Sequence, residues 1–187
     1  MKEIIQKAVE VLEGGGIILY PTDTVWGIGC DASNTEAIDR IFKLKQREES
    51  KSMVVLVANE VQLERSVEEV PEMAWDLIEL SEKPTTLVLN NPIGFSKKIV
   101  AQDNSIGIRV TRDRFCQELI RRFRKPIVST SANISGKSTP GNFDAIETTI
   151  KDGVDYIVPL RQEETEPKTP SSIIKIDPSG LIQILRK

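Results

Sequence analysis

Residues 126–141 read PIVSTSANISGKSTPG, and the break inside that stretch decides the class of fold. A short apolar strand signal, Pro126-Ile127-Val128, runs into a tract of Ser, Thr, Asn, Gly and Lys that cannot bury itself. Small hydroxyls, an Asn amide, two glycines and a lysine supply hydrogen-bond donors and let a backbone approach a ligand closely. A strand ending in such a loop is where open α/β sheets place their sites. The competing reading is a solvated Ser/Gly loop, and the flanking segments decide between the two.

Outward from that stretch, helical and strand patterns interleave. Ile4, Ile5, Ala8, Val11 and Leu12 form one helical stripe over residues 2–13, stopped by Gly14-Gly15-Gly16. GIILY (16–20) reads as a buried strand ended by Pro21, and residues 22–29 as a polar, Gly-containing loop. Ser33 and Glu36 match a capping box, predicting a helix with Ala37, Ile38, Ile41, Phe42 and Leu44 inward and Lys45 and Arg47 at its end. Further strands are expected at 53–58, 85–89, 105–110, 156–158, 172–176 and 181–185. Helices are expected at 71–80, with Pro71 in the first turn, at 114–123 and at 144–150. Residues 161–170 (RQEETEPKTP) are polar and Pro-punctuated, and are expected to form a mobile loop or lid. The interleaving predicts the α/β class with a twisted mixed sheet, in a single domain spanning 1–187.

Composition narrows the chemistry. The chain has 187 residues, 39% of them hydrophobic and 28% charged, and buries roughly 70% of its unfolded surface. It contains no histidine, so Ser-His-Asp, Cys-His and His-zinc chemistry are excluded. No apolar run approaches the roughly 20 residues of a membrane helix, and the charged N-terminus is not a signal peptide. Cys30 and Cys116 lie far apart without CxxC spacing, which suits small buried thiols in a reducing, cytoplasmic setting. The net charge of −3 argues against a uniformly basic surface, yet the charges segregate. Residues 60–82 hold eight acids against Arg65, and residues 109–125 are rich in arginine.

Two familiar motifs fail. ISGKST lacks the glycine that a phosphate-binding P-loop needs five residues before Gly136, where Ser131 stands. Gly27-Ile28-Gly29 with Ala32 imitates a dinucleotide fingerprint, but a Pro-led polar turn separates it from its strand.

Five polar segments in order carry more information. They are YPTDTVWGIG after one strand, Lys45 and Arg47 in a K-x-R at a helix end, and Gly107-Ile108-Arg109 within a strand. Ser131 and Asn133 form an S-x-N after another strand, and Pro170-Ser171-Ser172 opens a further one. From about Gly14 to Arg186 the chain resembles the YrdC-type threonylcarbamoyl-AMP synthases, in their short, single-domain form. The resemblance implies a YrdC/RibB-like fold with a concave ligand cleft. It implies a nucleotidyltransferase that combines ATP, L-threonine and bicarbonate or CO2, releases pyrophosphate, and serves threonylcarbamoyladenosine modification of tRNA. ATP is then a substrate, Mg2+ its expected companion, no protein metal site is implied, and tRNA and a threonylcarbamoyl-transferase complex are expected partners. Adenylate transfer by positioning and charge neutralisation needs no protein nucleophile, which agrees with a chain lacking histidine.

Carried onto matching positions, Lys45 and Arg47 would be catalytic, holding phosphates and carbamate. Thr24, Arg109, Ser129 and Ser171 would contact threonine. Arg47, Lys51, Ser105, Ser131, Asn133, Thr139 and Arg186 would face ATP. Other readings stay open at each. Lys45 and Arg47 can be dipole cations on a surface helix, Arg109 can pair with a structural carboxylate, and Thr24 and Ser171 can be turn hydroxyls. Tyr20 and Trp26 read as wall or core residues. The chain departs from the family pattern at Glu48, where proline is common, at Glu82-Lys83-Pro84, and at Leu56, a histidine position in longer relatives. The alternative function is an RNA-binding module of the same fold with little or no synthase activity.

Overall fold

The computed structural model describes residues 1–48 and 53–187. In chain order the elements are helix α1 (Lys2–Glu13), strands β1 (Ile18–Tyr20) and β2 (Gly27–Gly29), α2 (Thr35–Leu44), β3 (Val54–Val57), α3 (Glu60–Glu64) and α4 (Glu72–Leu80). They continue with β4 (Thr85–Asn90), β5 (Ser105–Val110), α5 (Arg114–Phe123), β6 (Ile127–Ser131), α6 (Thr148–Asp152), β7 (Tyr156–Ile157), β8 (Ser172–Ile176) and β9 (Ile182–Arg186). The described strands form one sheet in the order β7-β1-β2-β6-β3-β5-β4-β8-β9. Pairings of both senses occur: β1–β7, β3–β5 and β4–β8 are parallel, and the rest are antiparallel. The mixed α/β architecture agrees with the interleaving of periodic segments.

Strand alternation divides the apolar side chains between two layers. Leu19, Val55, Val57 and Val128 pack against α2, α4 and α6 on one face. Ile18, Tyr20, Leu56 and Ile127 pack on the other face against α1 and α5, through Ile5, Ala8, Leu12, Phe115, Leu119 and Phe123. On this second face the helices cover only part of the sheet. Two residues beyond Ile127 and Leu56, at Ser129 and Val54, the covering ends and the sheet floor opens to a cleft.

Several local expectations shift. The polar stretch 22–29 contains β2, a three-residue strand held between β1 and β6. A side chain at Gly29 would place its Cβ 2.5 Å from the Val128 carbonyl and 2.8 Å from the Tyr20 ring, so only glycine lets these strands approach. The cap of α2 is Asn34, whose side chain accepts from the Ala37 N–H, rather than Ser33, which hydrogen-bonds Asp31 instead. Helix α3 falls in the acid-rich segment, where no separate element is expected, and α6 begins at Thr148 rather than near Asp144. Residues 161–170 form no helix or strand. They are tied down by Arg161 to Asp113 at 2.8 Å and by the Lys168 N–H to the Gly141 carbonyl at 3.4 Å.

Candidate active site

The cleft floor is made by the uncovered residues of β6, β3, β5 and β4, and its walls by the 24–27 turn, the end of α2, Pro170-Ser171 and the tip of β9. Thr24, Arg47, Arg109, Ser129, Ser131, Thr139, Ser171 and Arg186 all line it. Three arginines converge there, and no carboxylate is present among the described lining residues.

Register explains the convergence. Val54 stands between Ser129 on β6 and Gly107 on β5, so those strands present one face together. Arg109 lies two residues beyond Gly107 on the same face. Gly107 leaves the floor low: a Cβ there would meet Thr86 Cγ2 at 3.3 Å and Val54 Cγ2 at 3.7 Å.

Arg109 is the most deeply held cation lining the cleft, its side chain only 5% exposed. Its Nη2 lies 3.1 Å from Asp23 Oδ1, and its Nη1 donates to Thr24 Oγ1 at 3.2 Å. Thr22 Oγ1 donates to the Val25 carbonyl at 2.8 Å, which leaves Thr24 to donate to Thr22 at 3.0 Å. The guanidinium is therefore oriented by a carboxylate behind it and a hydroxyl chain beside it. Its buried Nε has no hydrogen-bond partner among the described residues, an open donor of the kind a bound carboxylate satisfies.

On the opposite wall Ser171 Oγ and Thr86 Oγ1 share a hydrogen bond of 2.8 Å, both buried. Arg186 Nε donates to the Ser171 carbonyl at 2.9 Å. Partial burial and the charge of Arg109 draw the Arg186 pKa below its ordinary value, and burial does the same for Arg47. Both arginines remain cations, and part of their hydration is already lost to burial.

Three residues carried over from the motifs, Lys45, Asn133 and Ser105, do not line the cleft. Lys45 has a buried side chain, and its Nζ donates to the carbonyls of Ser131 and Asn133, the latter at 2.6 Å. It ties the end of α2 to the loop after β6, and the Ser135 N–H returns a bond to its own carbonyl at 2.7 Å. Burial first, then the charge of Arg47, pulls the Lys45 pKa down to about 7. Asn133 is likewise turned to its own loop, with Nδ2 donating to the carbonyls of Ile134 and Lys137, both at 2.9 Å. Ser105 lies on the cleft-facing side of β5 but is buried, and its Oγ donates to Asp103 at 2.6 Å. Lys51 falls outside the described residues. Two participants were not singled out from the sequence, Asp23 and Thr86. Asp23 stood inside the quoted PTDT loop, and Thr86 alternates with Val88 on the cleft face of β4. Tyr20 and Trp26 are buried core residues, as are Cys30 and Cys116.

The Sua5_yciO_yrdC family model, described as telomere recombination, matches residues 10–187. Threonylcarbamoyl-AMP synthase of Hahella chejuensis is 35% identical over 156 residues, covering 83% of this chain and 85% of that protein. The enzyme of the same name from Vibrio parahaemolyticus is 32% identical over 185 residues, 97% of both chains. Among solved structures, P. abyssi Sua5 complexed with L-threonine superposes with a TM-score of 0.80 at 27% identity, over 91% of this chain and 50% of that one. The chain thus spans about half the length of the Sua5 chain. E. coli YciO has the same fold, with a TM-score of 0.86 at 22% identity, over 100% of this chain and 90% of that one.

Proposed function

This chain belongs to the Sua5, YciO and YrdC family, and on that premise we propose that it is a threonylcarbamoyl-AMP synthase acting on ATP, L-threonine and bicarbonate or CO2. The observation that carries the reading is the cleft lined by three arginines and seven hydroxyl side chains, with no acid among the described lining residues. ATP brings about four negative charges and the amino acid a carboxylate, so a lining of cations and neutral donors suits both.

In this reading Arg109, oriented by Asp23 and Thr24, receives the threonine carboxylate, with Ser129 and Ser171 beside it. Arg47, Ser131, Thr139 and Arg186 face the nucleotide. The neutral threonine amine adds to CO2 and loses a proton, or takes the carboxyl group from bicarbonate with loss of water, and a carbamate oxygen attacks the α-phosphorus. The bond from that phosphorus to the bridging oxygen breaks, and pyrophosphate leaves. The protein needs no nucleophile. It holds two anions close together and disperses the charge that builds on the departing phosphates. Lys45 acts one step back, fixing the loop that presents Ser131. Among the described residues no cluster of three Cys, Asp or Glu could hold a metal. A divalent cation such as Mg2+ would then ride on the triphosphate oxygens rather than in a protein cage.

The adenylate is the activated donor for threonylcarbamoyladenosine in tRNA, passed to a transferase complex in the cytoplasm. Among the described residues no helix is long and apolar enough to cross a membrane. The test is pyrophosphate release, with mass-spectrometric detection of threonylcarbamoyl-AMP, from ATP, bicarbonate and L-threonine. Arg47→Ala should lower turnover by about 10² to 10³. A purified protein that forms no product yet binds RNA with steep salt dependence would replace this reading with the RNA-binding one.

A further inference from the structure

A second cavity, of about 530 Å³, opens at the other end of the strands that floor the cleft. It is reached from Ala58, just past β3, and Pro126, just before β6, whereas the cleft is reached from Val54 and Ser131. Four residues of extended strand separate Val54 from Ala58, roughly 13 Å. The cavity is walled by α3, the turn at 93–95 and the last turn of α5.

We propose that this cavity binds a phosphoryl group carried on an apolar or aromatic moiety, as in a nucleotide or a nucleic-acid phosphate. Among the described residues its charged side chains are all guanidiniums. Asn59 Oδ1 accepts from the Gln62 N–H at 2.9 Å, and Gln62 Oε1 accepts from the Ala58 N–H at 2.8 Å. Each amide oxygen already accepts one backbone hydrogen bond, and each side chain also carries an NH2 group with two donors. Arg65, Arg121 and Arg124 supply three guanidiniums, and no carboxylate is present among the described lining residues. Arg65 and Arg124 make no side-chain hydrogen bond or ion pair with a described residue, while Arg121 is shared only with Glu118 at 3.3 Å. The acids of α3 face elsewhere, and Lys125 is spent on Asp31 at 2.6 Å.

The floor suits the rest of such a ligand. Val61 and Ile93 are 54% and 50% exposed, and the half-buried Phe95 stands next to Ile93. Forked guanidiniums match the oxygens of a phosphoryl group, and an aromatic face accepts a base by stacking. This site stands independently of the proposed reaction.

Methyl-resolved NMR of the full chain would test it, with inorganic pyrophosphate, AMP and a short single-stranded oligoribonucleotide as separate probes. The Val61, Ile93 and Ile120 methyls should shift, equally in an Arg47→Ala background that weakens the cleft. The Arg65→Gln, Arg124→Asn pair should weaken binding roughly tenfold by removing two charge-assisted contacts. Asn suits the positive φ of 64° at Arg124, and synthase turnover should stay unchanged. Shifts with AMP alone identify a free nucleotide, and shifts with the oligonucleotide alone, falling with salt, identify a nucleic-acid backbone. Silence at Ile93 with all three probes would overturn the proposal. So would an unchanged affinity in the paired variant, or shifts produced by a polyglutamate peptide and by none of the phosphates.

Discussion

Replacing Asp23 with alanine should cost the fold more than any exposed acid could. The Arg109 side chain is 5% exposed and the Asp23 side chain 14%, and the pair meets at 3.1 Å. Removing one member of a buried pair leaves a charge with neither water nor counter-ion, which costs about 3 to 5 kcal/mol. Asp23 keeps a little access to solvent, and water could partly replace it, so the low end applies, about 3 kcal/mol. For a chain of this length each kcal/mol moves the melting midpoint by about 2 to 4 °C, so the expected drop is about 6 to 12 °C. Urea unfolding followed by Trp26 and Trp75 fluorescence would measure it. The decisive comparison is a double-mutant cycle with Arg109→Met, in which the Asp23→Ala penalty should fall by about 2 kcal/mol once the stranded cation is gone. Equal penalties in both backgrounds would refute the idea that Asp23 holds Arg109. Asp23→Asn, which keeps the shape, should raise the KM for threonine more than it lowers kcat.

Gly29→Ala should destabilise by about 1 to 3 kcal/mol, because its Cβ meets the Val128 carbonyl at 2.5 Å, where strand β6 cannot retreat; a thermal melt checks it. Thr86→Val removes the hydroxyl bonded to Ser171 and should cost about 1 to 2 kcal/mol, with a raised KM for threonine in steady-state assays. Lys45 binds its proton less tightly folded, at about 7, than unfolded, at 10.5. The unfolded chain thus carries more protons between those values, and Lys45 adds stability as pH rises through that window. Urea midpoints from pH 7 to 10 should therefore climb more in the native chain than in Lys45→Met.

How much was legible follows from how each signal arises. The bounds of β5, α5 and β8 match their expected ranges, because Ile106, Ile108 and Val110 alternate cleanly and Phe115, Leu119 and Phe123 share one helical side. Strand β2 escaped because Gly-Ile-Gly has no intrinsic strand preference, and its conformation is imposed by β1 and β6. The cap of α2 moved by one residue because Asp31 competes for Ser33, a contest between neighbours that a motif of fixed spacing does not register. At the site, the hydroxyls and arginines gathered as the order of polar loops implied. Lys45 did not join them, since residue type says nothing of the carbonyls of Ser131 and Asn133 that claim its amine. For Arg109 the structural carboxylate that the sequence allows is present as Asp23, and the same side chain lines the cleft where a threonine carboxylate is expected.

Among the described strands β9 pairs with β8 alone and is exposed along its whole length, yet it brings Leu185 and Arg186 to the cleft. In the proposed reading the threonine carboxylate meets Arg109 in the middle of the sheet, while one of the nucleotide's contacts, Arg186, is carried on the outermost ribbon. Local opening is cheapest where few apolar contacts resist it. Threonine should accordingly enter a pre-shaped seat, and ATP should complete its own by clasping that outer ribbon. Amide exchange would record the asymmetry as β9 protons that are lost early in the free protein, are retained once nucleotide binds, and are indifferent to threonine alone.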